Sequence, residues 1–227
     1  MMKTLWVAVV LSFVSVGQPA PLTCDKLAKP VENLPDLSGR WHYIAVSTEV
    51  CMPALLINKI FWPSIAVDIT NKGVPNLYAA TVKVKMHGFC MNETEDFFQE
   101  NNKLFEVNSE NSPVGEPDLL LQTSCSDCIV LKSNDTLSTV SFLSRRKTIT
   151  EEELKEFEMQ AECVRFSKPQ VLNADQDHDN CQDLDDISED QSLTFLQQVF
   201  ERVKSTHQSI LKCLVDMLLS YIPATIT

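Results

Sequence analysis

The sequence predicts a mainly β protein: an eight-stranded, up-and-down antiparallel barrel, then a post-barrel α-helix, then an added C-terminal amphipathic helix. Three observations carry that prediction. Between Trp41 and Ser144 the apolar residues come in short runs, several of them strictly alternating, broken by turn-forming residues. Most of the connections between those runs are of hairpin length. At Thr150 the apolar period changes from two to that of a helix.

The first residues read as a secretory signal, 1–17. Met1-Met2-Lys3 is a short positive start, Leu5 to Val16 is an apolar run, and Ser15 and Gly17 are the small residues of a cut after Gly17. A cut after Ala20 is the alternative. The run is too short to span a membrane, and no other stretch reaches about 18 apolar residues. About 210 residues then remain, which fits one barrel domain with an extension. The mature chain is expected to be exported and soluble.

The barrel occupies 22–172 together with its helix. Trp41 to Val46 reads as the first strand. Ser64 to Thr70 alternates, with Ile65, Val67 and Ile69 on one side; 71–76 is a turn. Tyr78, Ala80, Val82, Val84 and Met86 then alternate with Thr81, Lys83, Lys85 and His87. Phe97-Phe98, Lys103 to Val107, Leu119 to Thr123, Cys128 to Lys132 and Thr139 to Leu143 supply the remaining strands. Thr150-Glu151-Glu152-Glu153 is a capping box, and Leu154, Phe157, Ala161 and Val164 follow at helical spacing. Residues 173–190 form an acidic linker with eight Asp or Glu and no Lys or Arg. The C-terminal helix, 191–223, has a pattern that starts near Ser188 and stops at Pro223. Its stripe, Leu196, Val199, Val203, His207, Ile210, Leu214, Met217 and Tyr221, is heptad-like. That stripe packs on the barrel, pairs with a second copy, or lies on lipid; the polar face holds only Arg202, Lys204 and Lys212, fewer cations than interfacial helices carry.

The formal charge of −12, which becomes −13 when Lys3 leaves with the signal, argues against nucleic acid and anionic membranes as partners. All eight cysteines follow the signal, and an even count in an oxidising compartment reads as disulfides. Cys125-Ser126-Asp127-Cys128 has the spacing of a redox motif. Strands flank it instead of a helix N-terminus, so a local disulfide across a tight hairpin is the better reading. Asn92-Glu93-Thr94 and Asn134-Asp135-Thr136 are N-glycan acceptor sequons, which places Asn92 and Asn134 at the surface.

Several chemistries are not supported. Asp175-Gln176-Asp177-His178-Asp179 begins like a calcium loop, with Asp186 at the twelfth position. Its sixth position is Asn180 where glycine is needed, and no entering helix precedes it. His42, His87, His178 and His207 show no metal-ligand spacing, and His42 and His87 sit at outward parity in strands. There is no Gly-x-Ser-x-Gly elbow. No metal, cofactor or catalytic group is expected.

The sequence resembles the lipocalin family. Gly39-Arg40-Trp41, after the Pro35 turn, is how a lipocalin's first strand begins: the glycine permits close backbone approach and the Trp plugs the closed end. The cysteine set, the opening Pro21-Leu22-Thr23-Cys24, and Leu154-Lys155-Glu156-Phe157 running on to Ala161-Glu162-Cys163-Val164-Arg165 resemble the alpha-1-acid glycoprotein (orosomucoid) branch. The 123–128 hairpin and the long final helix look most like the fish tributyltin-binding and saxitoxin- and tetrodotoxin-binding proteins; apolipoprotein M is a more distant resemblance. The resemblance implies pairing of Cys24 with Cys163 and of Cys90 with Cys181. Cys51 and Cys213 are left, either paired with each other or bonded between chains. It also implies an arginine stacked on Trp41, with Arg145 the better match and Arg146 the alternative. The usual Thr-Asp-Tyr turn marker is absent, and Cys125 to Cys128 occupies its region.

The expected function is therefore a secreted, glycosylated, non-enzymatic carrier of small hydrophobic or amphiphilic ligands in plasma or another body fluid. Lipophilic drugs, steroids, organotin and guanidinium toxins are the ligands the resemblance implies. Inward parity nominates Tyr43, Ala45, Ile65, Val67, Val82, Val84, Met86, Leu119, Leu121, Leu131, Ser141 and Leu143 as the lining. The competing reading is an interaction protein working through the C-terminal helix, by lipoprotein or partner docking. A monomer is expected, with a dimer through that helix as the alternative. One lipocalin branch is enzymatic through a barrel cysteine, whose single analogue here is Cys51.

Overall fold

In the computed structural model the described residues are 20–134, 137–173, 175, 177–178 and 180–220. The signal segment 1–17 and the helix stop at Pro223 lie outside them. The alternating stretches form strands β1 (Gly39–Thr48), β2 (Ser64–Asn71), β3 (Leu77–Met86), β4 (Phe89–Glu100), β5 (Lys103–Val107), β6 (Pro113–Leu121), β7 (Cys128–Ser133) and β8 (Thr139–Ser144). Each pairs antiparallel with the next, and β8 returns to β1, so the sheet closes into an eight-stranded up-and-down barrel. Closure leaves no long unpaired edge. The β3–β4 connection is two residues, His87 and Gly88, both left-handed at φ 50° and 89°; this is the hairpin turn whose twist matches the strands. β4 is far longer than the Phe97-Phe98 signal suggests, because the stretch before those rings, Asn92 to Asp96, is polar.

Helix α1 (Ala20–Leu27) leads into a segment that crosses the end where β1 begins. Val31 N–H donates to Leu120 O at 2.9 Å, and Gln122 N–H to Lys29 O at 2.9 Å. Trp41, 2% exposed, lies over that end beside Leu37 and donates Nε1–H to Leu37 O at 2.8 Å. The opposite end carries the one long connection, β1 to β2, which holds α2 (Cys51–Leu55) and a π-helical stretch, Leu56–Phe61.

Two apolar clusters result. One fills the barrel's closed half: Leu37, Trp41, Val67, Ile69, Leu120, Ile129 and Leu143. The other lies outside the sheet, where Ile44, Ala45, Leu121, Val130, Val140 and Phe142 meet Phe157 of α3 (Glu151–Cys163). Phe142 and Phe157 stack with centroids 5.2 Å apart. The capping box forms, Thr150 and Glu153 each satisfying the other's backbone N–H. A disulfide, Cys24–Cys163, ties α1 to the end of α3.

Beyond α3, strand β9 (Gln170–Val171) adds to β1, and β10 (Gln182–Asp183) lies parallel to β4. Between them the linker straps β2, β3 and β4. Asp175 pairs with Lys85 at 2.8 Å, His178 Nε2 meets Ser64 Oγ at 3.3 Å, and Cys181 bonds Cys90. Asp175 and Asp177 of the calcium-like loop are thus engaged within the chain, Asp177 with Asn180. His42 and His87 are not free surface residues: His42 is 5% exposed, and His87 Nε2 lies 3.1 Å from Ile60 O.

Helix α4 (Glu189–Ser220) packs across α2 and the π-helical stretch. A disulfide, Cys51–Cys213, pins it there; the bond lies within one chain. Arg202 stacks over Trp62 at 4.5 Å, and Phe195 meets His87 and Phe89 edge-on. No helix among the described residues is long and apolar enough to cross a membrane.

Candidate ligand cavity

The barrel encloses a cavity of about 430 Å³, inside the range of small-molecule sites. Its walls differ in kind. Strands β1, β2, β3, β7 and β8 contribute Tyr43, Val67, Ile69, Ala80, Val82, Ile129, Leu131 and Leu143, with Leu37 beneath. The facing wall, β4 to β6, contributes Glu95, Asp96, Glu106, Glu116 and Asp118 beside Phe97, Leu104 and Phe105. Among the described residues that line the cavity, none is Lys or Arg.

The acidic wall follows from register. Glu95 sits opposite Ala80, which sits opposite Ile69, so inward parity along β4 delivers a carboxylate to an apolar row. Glu106 sits opposite Phe97 in the next pair. Gly115, at φ 74°, and the irregularity between Leu104 and Glu106 let β6 bring Glu116 and Asp118 to the same wall. Asp96 is already ion-paired with Lys72. Glu95, Glu106 and Glu116 are exposed and hydrated, whereas Asp118 is half-buried. Desolvation, reinforced by the Asp118 carboxylate, pushes the Tyr43 phenol up to about 12, so it stays a neutral donor inside the cavity.

The closed end is locked by one arginine. Arg145 lies 3.8 Å over the Trp41 ring and donates to Asp36 O at 2.9 Å and Arg40 O at 3.1 Å. Gly39 is required beneath it: at φ 94°, a Cβ there would sit 2.9 Å from Arg145 Nη1. Arg146 turns the other way, to Asp127 at 2.7 Å and Glu153 at 2.6 Å, beside the Cys125–Cys128 disulfide.

Of the residues nominated from inward parity, Tyr43, Val67, Val82, Leu131 and Leu143 line the cavity. Ile65, Val84, Met86 and Ser141 fall in the same inward rows by pairing but lie outside its lining. Ala45, Leu119 and Leu121 are corrections: all three pack against the outer cluster under α3. A bulge between Tyr43 and Ala45 shifts β1 by one residue, and β6 turns Leu120, not its neighbours, into the barrel. Leu37, Ile69, Ala80, Phe97, Leu104, Ile129 and the whole acidic wall also line the cavity and lie outside the nominated set. Ile69 and Ala80 carried the alternation signal; in β4 the one trace was acid alternating with neutral in Glu93-Thr94-Glu95.

The two sequons differ in position. Asn92 is exposed on β4, on the face opposite Glu93 and Glu95, whereas Asn134 is exposed and lines the cavity rim.

The chain matches the ApoM domain family over residues 23–186. No curated protein sequence matches it. Among solved structures, the siderocalin Ex-FABP, described as functioning through dual ligand specificities, is 14% identical, is aligned over 61% of this chain and 94% of its own, and has a TM-score of 0.48.

Proposed function

The chain belongs to the ApoM domain family, within the lipocalins, and from that premise we propose a secreted, non-enzymatic carrier for small amphiphiles that bear a cationic group. One observation carries the charge class: a cavity with an apolar wall, a carboxylate wall and, among the described residues, no lining Lys or Arg. The ligand's tail lies against Val67, Ile69, Val82, Leu131 and Leu143. Burying about 200 Å² of apolar surface there contributes roughly 5 kcal/mol before the cost of association. Its cationic head lies against Glu95, Glu106, Glu116 and Asp118, with Tyr43 O–H as a neutral donor deeper in. Each carboxylate contributes about 1 kcal/mol or less in a hydrated mouth, and salt weakens it.

Under this reading organotin and guanidinium cations and basic drugs suit the site, while neutral steroids engage only the apolar wall. Four disulfides fit assembly in an oxidising compartment, which supports export. Asn92 and Asn134 are the glycan acceptors. The test is titration with an apolar fluorescent probe, displaced in turn by a hydrophobic cation and a fatty acid. Saturable one-to-one binding, with the cation the better competitor, is expected. Absence of saturable binding by the correctly disulfide-bonded protein overturns the carrier, and a better fatty acid overturns the charge class.

A further inference from the structure

Helix α4 is docked by one side only. Thr206 and Cys213 are 6% and 4% exposed, yet Leu193, Leu196, Phe200, Val203, Leu211, Leu214 and Leu218 are between 39% and 67% exposed. Each helical residue turns by about 100°, so these seven and His207 fall within about 40° of one line along the helix. Their spacing is mirrored about His207. Val203 and Leu211 stand four residues to either side, Phe200 and Leu214 seven, Leu196 and Leu218 eleven.

A stripe with that symmetry is complementary to itself turned end for end. We infer that a second copy of this chain covers it, as an antiparallel helix pair about a two-fold axis at His207. Phe200 then meets Leu214 of the second copy, Val203 meets Leu211, and Leu196 meets Leu218. This is the self-complementary contact that a two-fold dimer requires. The stripe exposes roughly 700 Å² per copy, so a pair buries on the order of 1,300 Å², inside the class of specific interfaces and above what monomers usually leave open. His207 is the one polar member and fixes the register, because aligning it with any other member of the stripe sets it against an apolar side chain. Lipid is the poorer occupant: Arg202, Lys204 and Lys212 are outnumbered by Glu189, Asp190, Glu201 and Asp216, and the chain's charge is −12. None of these α4 residues lines the cavity, so the dimer stands or falls independently of the carrier reading.

The test is sedimentation of the full secreted chain over a micromolar concentration series, with native disulfides mapped in every variant. A reversible dimer is expected, and Phe200→Glu, at a position 64% exposed, raises its dissociation constant about tenfold or more. Under mild oxidation His207→Cys forms a covalent dimer. Leu196→Cys does not, because the twin cysteines would stand about 33 Å apart. A monomer at every concentration overturns the inference, as does a monomer that instead binds phosphatidylcholine vesicles. Crosslinking of both cysteine variants overturns the antiparallel pairing.

Discussion

Arg145 joins three separate pieces of chain: the Asp36 carbonyl of the crossing segment, the Arg40 carbonyl and the Trp41 ring of β1. Removing it leaves two carbonyls without that donor and the indole without its cation. Arg145→Ala is expected to cost about 1–3 kcal/mol, read as a lower urea midpoint. Gly39→Ala should destabilise by a similar route, since the added Cβ meets Arg145 Nη1 and the backbone is left-handed there. Asp68 gives a pH signature. Arg40, hydrogen-bonded at 2.7 Å, and Lys83 lower its pKa from 3.8 to about 2. The folded value lies below the unfolded one. Its contribution is therefore complete above about pH 4 and is lost as the pH falls through about 2. Asp68→Asn should flatten that limb of an acid-unfolding curve. Sequence left Arg145 and Arg146 as alternatives for the Trp41 partner. Only geometry separates them, since adjacent residues diverge to opposite sides of the strand end.

The legibility of the elements depends on whether one face of each is uniformly apolar. β2 and β3 have such a face, so their inward rows were readable, and α3 announced itself through its capping box. Thr150→Ala should cost about 1 kcal/mol and lower the melting temperature accordingly. β6 fails the condition: Leu119, Leu120 and Leu121 run consecutively because one side faces the barrel and the other faces α3. Two apolar faces erase the alternation that sets parity. β1 fails differently, through a bulge that no residue type marks. β4 was underestimated because its inward positions carry carboxylates, which read as loop. At the C-terminus the heptad rhythm was legible but not the side it presents. Val199, Ile210 and Met217 are half-buried, turned partly to the docked side, and Leu193, Leu211 and Leu218 complete the exposed stripe. Because α4 lends no residue to the cavity, deleting 190–227 together with Cys51→Ser should change ligand affinity by less than about threefold. A loss of binding would make the helix part of the site.

At the scale of the whole molecule, the net charge of −12 had no address in the sequence. The fold supplies one, by curling β4 to β6 so that their carboxylates share a wall opposite an aliphatic one. Under the proposed function such a cavity selects by head group as well as by size, the apolar wall taking the tail and the acidic wall favouring cations over anions. The most direct test compares a cationic amphiphile with the neutral alcohol of the same tail, on the native chain and on Glu106→Gln/Glu116→Gln. Both substituted positions are exposed, so the fold should tolerate them. The double variant is expected to lose about tenfold in affinity for the cation and to keep its affinity for the alcohol. Equal affinities for the cation in both proteins, or a parallel loss for the alcohol, would contradict it.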